Sequence, residues 1–262
     1  MPLVEITPWN DLLDDTPAER HLVHCYADDG SLIESVARFL GEGMRRGDGL
    51  LVIATPDHRR ALLERVAGDG VDAGAVEESG RLMALDAQET LERILVDGEP
   101  NAAAFDRALA PVVRRVRGMD RRRVRVYGEM VGQLWSAWRF AAAVRMEAYW
   151  NRLLAAEGVS LYCAYPIDVL GPEFDPALLH AVLCAHTHLV PSLAQLDPAV
   201  DRAVDQLLGP ADGRSPPRYA GEARWAALPP AEARVLWIRA NLPDDADRIL
   251  ARQPRPSAAP AA

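Results

Sequence analysis

The stretch that decides the fold class is Leu50-Leu51-Val52-Ile53-Ala54-Thr55-Pro56. Its first five residues form an unbroken apolar run, which is typical of a strand that is covered on both faces of a sheet. Thr55 supplies the hydroxyl of a helix N-cap, and Pro56 suits the first position of a helix. A doubly buried strand followed at once by a helix predicts an α/β protein.

The same alternation of strand and helix patterns extends in both directions from this stretch. Short apolar runs predict four further strands, at residues 21–26, 82–85, 124–127 and 160–165. Apolar spacing and capping residues predict further helices at residues 32–46, 86–95, 101–118, 140–156 and 176–189. Strands separated by helices are typical of a parallel sheet, so we expect a three-layer α/β fold with helices on both faces.

Composition divides the chain into five segments. Residues 1–19 form an acidic N-terminal extension, and residues 20–190 hold the predicted domain. Residues 191–217 contain a helix and a Pro/Gly linker, residues 218–252 form a short helical appendage, and residues 253–262 form a Pro/Ala-rich tail that we expect to be disordered. The segment after residue 190 has few large apolar side chains, so we expect it to dock on the main domain or on a partner.

The charged residues exclude several function classes. Among 262 residues, 29 basic side chains stand against 38 acidic ones, giving a formal net charge of -9, and every one of the 29 is an arginine. An acidic surface repels phosphate backbones, so we expect no direct binding of nucleic acid. Because there is no lysine, a P-loop lysine, a Schiff base and a lysine general base are all excluded.

The cysteines and the N-terminus indicate the cellular compartment. Cys25, Cys163 and Cys184 are too few and too scattered for a disulfide framework. Residues 1–10 lack a basic segment followed by an apolar run, and no stretch approaches the roughly 20 apolar residues of a membrane span. We therefore expect a reduced, soluble, cytoplasmic protein that does not enter a membrane.

Two segments have some features of phosphate-binding loops. The glycine series at residues 41–47 follows a helix rather than a strand, so we interpret it as a helix C-terminus. The loop at residues 27–31 lies where a parallel sheet would bind phosphate, but Asp28 and Asp29 would repel an anion. We therefore expect neither ATP hydrolysis nor a bound cofactor.

Two clusters of histidine and cysteine are the candidates for a metal site. They are His21-x-x-His24-Cys25 and Cys184-x-His186-x-His188. His21 and His24 point to opposite faces of a strand, and neither cluster has the spacing of a zinc motif. A site would need folding to bring the two clusters together. We expect no metal, with Cys184 packed in the core and His186 in solvent.

Seven arginines fall within residues 114–125. A run of this kind would suit an anion or an acidic partner. Arginines also suit the C-terminal end of an exposed helix, where they interact favourably with the helix dipole, and the solvent side of an edge strand. We favour this second interpretation because the whole chain is acidic.

The segment 127–151 holds the most promising candidates for a ligand site. Ligands of open parallel sheets bind at the carboxyl ends of strands, and Glu129 follows such an end. The large aromatic residues of the following segment are Trp135, Trp138, Tyr149 and Trp150. A carboxylate beside such rings would suit a small organic molecule. The alternative is that the tryptophans are core residues and that Glu129 caps a helix or pairs with an arginine.

Five motifs stand out along the predicted domain. They are His21-Leu22-Val23-His24-Cys25-Tyr26, Ile53-Ala54-Thr55-Pro56, Val126-Tyr127-Gly128-Glu129-Met130-Val131 with Leu134-Trp135, Met146-Glu147 with Trp150-Asn151, and Leu161-Tyr162-Cys163-Ala164-Tyr165-Pro166. Because these motifs occur in the order found in the MEDS family, a sensory domain of methanogens and methylotrophs, residues 20–189 resemble this family. The resemblance implies a RecA-like fold, related to the circadian-clock ATPases but without their phosphate-binding loop. It also implies sensing of small hydrocarbon derivatives in bacterial signal transduction.

Carried over by position, the resemblance implies nine ligand-binding residues. They are His21, Tyr26, Glu129, Trp135, Glu147, Trp150, Asn151, Cys163 and Tyr165. The position of Cys163 within an apolar strand favours a packed thiol over a nucleophile. The sequence offers no second catalytic group to accompany Glu129, so we do not expect an enzyme.

These features together predict a sensor that binds a small organic ligand near Glu129. Its signal would pass to a protein partner, as in transcription regulation, either directly or through the C-terminal segment. Two alternatives stay open. One is a degenerate RecA-like nucleotide-binding protein without ATPase activity, and the other is an interaction module without a ligand.

Overall fold

The computed structural model describes residues 13–168, 182, 185–190 and 239. The predicted N-terminal extension is described only from Leu13, whose side chain is buried. The predicted linker at residues 191–217 and the predicted tail at 253–262 lie outside the described residues. The predicted appendage at 218–252 also lies outside them, apart from Arg239.

A six-stranded sheet forms the centre of the domain. The described strands are β1 (His21–Tyr26), β2 (Gly49–Ala54), β3 (Leu82–Asp86), β4 (Leu95–Val96), β5 (Glu99–Pro100), β6 (Val124–Gly128), β7 (Ser160–Pro166) and β8 (His188–Val190). Six of them form one sheet in the order β3-β2-β6-β7-β1-β8, and every neighbouring pair is parallel. The other two, β4 and β5, form a separate antiparallel pair.

Helices cover both faces of the sheet. The described helices are α1 (Asp29–Arg46), α2 (Pro56–Gly68), α3 (Ala73–Glu78), α4 (Ala87–Ile94), α5 (Ala102–Arg117), α6 (Met130–Ser136) and α7 (Phe140–Glu157). The face that carries Leu22 and Val52 packs against α1, α2 and α3, and the face that carries Val23 and Val126 packs against α4 to α7. The three-layer α/β prediction is confirmed. Among the described helices, none combines the length and the apolar character that a membrane crossing requires.

Local sequence signals fix the ends of several helices as predicted. Thr55, Asp86 and Asn101 each accept a hydrogen bond from the backbone N–H three residues further on, which is the N-cap contact. Gly47 ends α1 in the left-handed conformation, with φ of 81°. The interpretation of residues 41–47 as a helix C-terminus is therefore confirmed.

Replacing Asn101 by alanine tests the cap of α5. The Oδ1 atom of Asn101 accepts a hydrogen bond from the backbone N–H of Ala104 at 3.0 Å. Alanine has no atom to replace it, so we expect the free energy of unfolding to fall by about 1 kcal/mol, measured by urea denaturation. The control Asn101→Ser keeps a capping oxygen and should retain most of the stability. Equal losses in the two variants would contradict the capping role.

One edge of the sheet differs from the prediction. Residues 188–190 form β8 beside β1, so the described strands give the sheet six members rather than the predicted five. The predicted helix at residues 176–189 therefore extends too far along the chain. A strand of three residues is too short to show an alternating pattern of its own, so the sequence does not mark where the helix ends. His188 begins β8, and Cys184, which was predicted to pack in the core, lies outside the described residues.

The structure also corrects the interpretation of the arginine run. β6 lies between β2 and β7, so it is an interior strand rather than an edge strand. The Arg125 residue is only 1% exposed, and its guanidinium donates to Asp48 Oδ2 at 2.8 Å and to the carbonyl oxygen of Leu13 at 2.7 Å. Arg114, in contrast, is an exposed side chain in the last turn of α5, as predicted.

Candidate functional site

Three strands bring polar residues to the carboxyl-terminal edge of the sheet. Tyr26 ends β1, Thr55 follows β2 and Glu129 follows β6. Parallel strands place their carboxyl ends at one edge, which is where open α/β sheets bind ligands. The polar side chains gathered there are called the edge cluster below, and they are Tyr26, Asp29, His58, Tyr127 and Glu129.

Glu129 is held from three directions within the edge cluster. Its Oε2 accepts a hydrogen bond from the backbone N–H of Thr55 at 2.8 Å. Its Oε1 accepts hydrogen bonds from Nδ1 of His58 and from the hydroxyl of Tyr127, both at 2.7 Å. The Glu129 side chain makes no capping hydrogen bond to α6, and its described partners do not include an arginine. Both alternatives left open for it by the sequence are therefore wrong.

His58 connects Glu129 to the protein surface. It lies in the first turn of α2 with 18% of its side chain exposed, and its Nε2 is 3.4 Å from Asp29 Oδ1. The hydrogen bond to Glu129 is the largest cause that raises the pKa of His58, and Asp29 adds to it. Burial raises the pKa of Tyr26, and the nearby Glu129 carboxylate raises it further. The edge cluster therefore presents a protonated phenol and an imidazole N–H near the surface.

A second group of polar side chains is buried between the other face of the sheet and α7. It is called the buried polar cluster below. Its buried side chains are His21, Glu147, Cys163, Tyr165 and His186, and the exposed residue Asn151 lies at its rim. Residues 147 and 151 are one helical turn apart, so they share a face of α7. Residues 163 and 165 are alternate positions of β7, so they share a face of the sheet.

Glu147 lies at the centre of the buried polar cluster. Its Oε2 is 3.3 Å from His21 Nε2, its Oε1 is 3.3 Å from His186 Nε2, and the hydroxyl of Tyr165 donates to Oε1. The Sγ atom of Cys163 is 3.3 Å from His21 Nε2 and 3.8 Å from Glu147 Oε2. Burial alone would raise the pKa of Glu147, but the two imidazoles outweigh it and hold that pKa well below its usual range. Burial also raises the pKa of the Cys163 thiol.

Outer hydrogen bonds fix the ring protons of both histidines. The Oδ1 atom of Asn151 accepts from Nδ1 of His21 at 2.9 Å, and the Asn151 amide nitrogen donates to the carbonyl oxygen of Ala185, which sets the amide orientation. The carbonyl oxygen of Val182 accepts from Nδ1 of His186 at 2.6 Å. Since these oxygens only accept, both histidines carry a proton on Nδ1 and turn Nε2 toward the cluster centre.

The nine residues implied by the resemblance fall into two separate places. Those in the buried polar cluster are His21, Glu147, Asn151, Cys163 and Tyr165. Trp135 packs edge-on against Tyr165, with 5.4 Å between ring centroids, and Trp150 packs against Phe105 in the same core. Tyr26 and Glu129 lie in the edge cluster instead.

The prediction that Glu129 lies beside the tryptophans is wrong. Its partners Tyr127 and His58 lie on the side of the sheet covered by α1 to α3. Trp135 and Trp150 belong to the side covered by α4 to α7. Trp150 is a core residue, as the alternative interpretation predicts, but Trp138 is 77% exposed, so that interpretation is wrong for Trp138.

Two histidines of these clusters are absent from the predicted set. His58 is an isolated histidine in the first turn of α2, and it belongs to no sequence motif that would have indicated a site. His186 was expected in solvent, but its side chain is only 1% exposed. The sequence did contain one signal for His186, namely the two clusters of histidine and cysteine. Folding brings His21 of the first cluster and His186 of the second together, with 4.0 Å between ring centroids.

The model of one protein family matches residues 20–187, and its description is MEDS, the methanogen/methylotroph, DcmR sensory domain. The matched range includes every residue of the edge cluster and of the buried polar cluster. The chain belongs to the MEDS family. Its general role is therefore signal sensing. No curated protein matches the sequence.

This MEDS domain has carboxylates where a phosphate would bind. Asp28 caps α1 by accepting a hydrogen bond from the backbone N–H of Ser31 at 2.9 Å, and Asp29 lies in the first helical turn. The N-terminus of a helix that follows a strand is the usual anion site of α/β folds. Here the protein's own acidic side chains take that place.

Proposed function

We propose that this MEDS domain is a non-enzymatic cytoplasmic sensor that binds a small organic molecule at the edge cluster. Binding would favour a conformation that a signalling partner recognises, as in transcription regulation. The proposal rests on the sensory family, on the position of the edge cluster at the carboxyl ends of the strands, and on the polar groups presented there.

The observation that carries the proposal is the fixed orientation of His58. The carboxylate of Glu129 holds Nδ1 of His58, so Nε2 is directed outward to Asp29. Asp29 itself is largely exposed, with 73% of its side chain accessible. A small ligand with an oxygen or halogen acceptor can replace Asp29 at Nε2 without disturbing the buried contacts of Glu129.

Two partly buried side chains could supply apolar contacts to a ligand. Tyr26 belongs to the edge cluster, and Ile33 lies one helical turn after Asp29 on α1. Their exposed portions would cover the hydrocarbon part of a ligand whose polar atom contacts His58 or the Tyr26 hydroxyl. This combination of a mostly apolar surface with a few fixed donors is typical of sites for small organic molecules.

The same contact suggests how binding is relayed. His58 lies at the start of α2, Asp29 lies at the start of α1, and the two helices pack against each other. A ligand that separates the two side chains removes the direct link between the helix starts. The partner would recognise the resulting shift in the population of the two helix positions.

A thermal-shift screen of the full chain tests the proposal. The panel contains short halogenated alkanes, alcohols, aldehydes and ketones, with ATP and Mg²⁺ as a separate sample. We expect at least one organic compound to raise the melting temperature in a saturable manner. Glu129→Gln should raise the dissociation constant of that compound about 10- to 100-fold, because the charged partner that orients His58 is lost.

The matched control is Glu64→Gln, which removes one exposed carboxylate from α2 and should leave the dissociation constant unchanged. Circular dichroism checks that both variants are folded. A panel without any saturable response, or equal responses of the two variants, would contradict the proposed site. A response to ATP alone would favour the nucleotide-binding alternative.

A further inference from the structure

We propose that His21, Glu147, Cys163 and His186 form a binding site for one Zn²⁺ ion. Each residue offers one ligand atom, and the four atoms all lie within 4.8 Å of one another. Two imidazole nitrogens, a thiol sulfur and a carboxylate oxygen make up a ligand set that zinc takes in proteins. This inference is independent of the organic ligand proposed above, because the four residues lie outside the edge cluster.

The spacing of the four atoms fits tetrahedral coordination. Bonds of about 2.0–2.3 Å from zinc to nitrogen, oxygen and sulfur place neighbouring ligand atoms about 3.3–3.8 Å apart. The separations are 3.3 Å from His21 Nε2 to both Glu147 Oε2 and Cys163 Sγ, and 3.8 Å from that sulfur to Glu147 Oε2. His186 Nε2 is 3.3 Å from the other oxygen of Glu147. The four ligand atoms lie within 4.8 Å of one another, so the ligands would move closer together to surround one ion.

The orientation of the histidines is that of metal ligands. Metal-binding histidines usually donate their second ring N–H to an oxygen acceptor, which fixes the ring and its tautomer. His21 makes this contact with Asn151 and His186 makes it with the carbonyl oxygen of Val182. The hydroxyl of Tyr165 does the same for the carboxylate of Glu147. Three of the four ligands therefore have the outer partners that a metal site requires.

The centre of the cluster brings two imidazole nitrogens against one carboxylate. With protons on Nδ1, the Nε2 atoms of His21 and His186 face the oxygens of Glu147 at 3.3 Å, and this contact is favourable only with a proton or a cation between the atoms. His186 Nε2 lies within ion-pair distance of this carboxylate but makes no hydrogen bond among the described residues, although it is fully buried. Lone pairs in this arrangement repel unless a proton or a cation lies between them. A divalent ion satisfies all of them at once and compensates the buried carboxylate.

The ligand types select the metal. A thiolate and two imidazoles suit Zn²⁺, whereas Mg²⁺ and Ca²⁺ prefer oxygen ligands. Four protein ligands leave no open position, so the ion would have a structural role rather than a catalytic one. It would join β1, α7 and β7 to the segment that precedes β8, and would so hold the edge strand on the sheet.

Metal titration of the full chain tests the proposal. The protein is purified under reducing conditions, stripped with a chelator, and titrated with Zn²⁺ or Co²⁺ alone. We expect one ion per chain by elemental analysis, and no comparable binding of Mg²⁺. Co²⁺ should give the intense visible bands of a tetrahedral site together with a thiolate-to-cobalt charge-transfer band.

Variants of the three cysteines identify the sulfur ligand. Cys163→Ser should abolish the charge-transfer band, whereas Cys25→Ser is the matched control, since Cys25 is a buried residue of the same sheet outside the four-ligand set. If Cys163→Ser does not fold, retention of the band by both Cys25→Ser and Cys184→Ser assigns the sulfur by elimination. Loss of the band in either of these two controls would overturn the assignment.

Asn151→Leu tests the outer contact of His21. Asn151 acts through His21, so its loss should weaken Zn²⁺ binding about 10- to 100-fold while the cobalt spectrum keeps its shape. A purely structural role in packing would change stability without changing the affinity of the folded protein. The proposal as a whole is overturned if the folded, reduced full chain binds no Zn²⁺ at micromolar concentration.

Discussion

Replacing Arg125 by methionine is expected to lower the free energy of unfolding by about 3–5 kcal/mol, the usual cost of breaking a buried ion pair by removing one partner. Arg125 pairs with Asp48, and both residues are buried. Its guanidinium also donates to the carbonyl oxygens of Leu13, Asp14 and Phe39. Methionine fills a similar volume, but it leaves three carbonyl groups without this donor and leaves Asp48 with only its longer ion pair to Arg123.

Urea denaturation followed by circular dichroism measures this loss. The control is Arg60→Ala, which removes an exposed ion pair with Asp57 and should cost less than about 1 kcal/mol. The double variant Asp48→Asn/Arg125→Met should recover part of the loss, since position 48 then carries no buried charge. A loss below about 1 kcal/mol for Arg125→Met alone would show that the buried network contributes little.

Arg125 also shows where prediction from the sequence ends. The order Val124-Arg125-Val126 alternates apolar and charged residues, which is the pattern of a strand with one face in solvent. Sequence spacing contains no information on the neighbours of β6 in the sheet. Gly43 of α1 leaves room for the side chain of Arg125. Any larger residue at position 43 would place its Cβ atom 2.8 Å from Arg125 Cδ, which is too close. That contact joins residues far apart in the chain.

The strands and helices themselves were largely predictable because their signals are local. The doubly apolar run of β2, the capping residues of α2, α4 and α5, and the glycine that ends α1 all act within a few residues. β8 lacked such a signal, and its pairing with β1 depends on tertiary contact. The short elements α3, β4 and β5 were likewise not predicted.

The contacts of the candidate site likewise divide into those that local sequence predicts and those that depend on tertiary structure. Glu147 and Asn151 were predictable as neighbours, because residues four apart share a face of a helix. Their contact with His21 and Cys163 depends on the register in which β1 pairs with β7. The separation of Glu129 from the tryptophans could not be predicted either. It depends on which face of the sheet each helix covers, and motifs in sequence order do not specify that.

His24 is expected to make the stability of the protein depend strongly on pH. Burial lowers the pKa of His24 from 6.5 to about 4, and the nearby Asp28 offsets only part of this effect. Its Nδ1 lies 2.9 Å from the hydroxyl of Tyr162, but its Nε2 is buried and makes no hydrogen bond among the described residues. A second ring proton would therefore have no acceptor, and the folded protein keeps His24 neutral.

The direction of the pH effect follows from proton binding. Between pH 6.5 and 4 the unfolded chain takes up a proton at His24 that the folded protein does not bind. The contribution of His24 to stability is therefore complete above pH 6.5 and is lost as the pH falls toward 4. A pKa shift from 6.5 to about 4 corresponds to a loss of about 3 kcal/mol in the free energy of unfolding.

Urea denaturation at a series of pH values, compared between the wild type and His24→Gln, isolates this contribution. Carboxylates titrate in both proteins, so their effects cancel in the difference, and the variant should lose the smaller amount of stability on acidification. His58→Gln is the control, because the pKa of His58 is raised, so well below pH 6.5 His58 is protonated in both states and adds little slope. Parallel curves for the wild type and His24→Gln would mean that the folded protein accepts a proton at His24, and that the buried Nε2 has access to water.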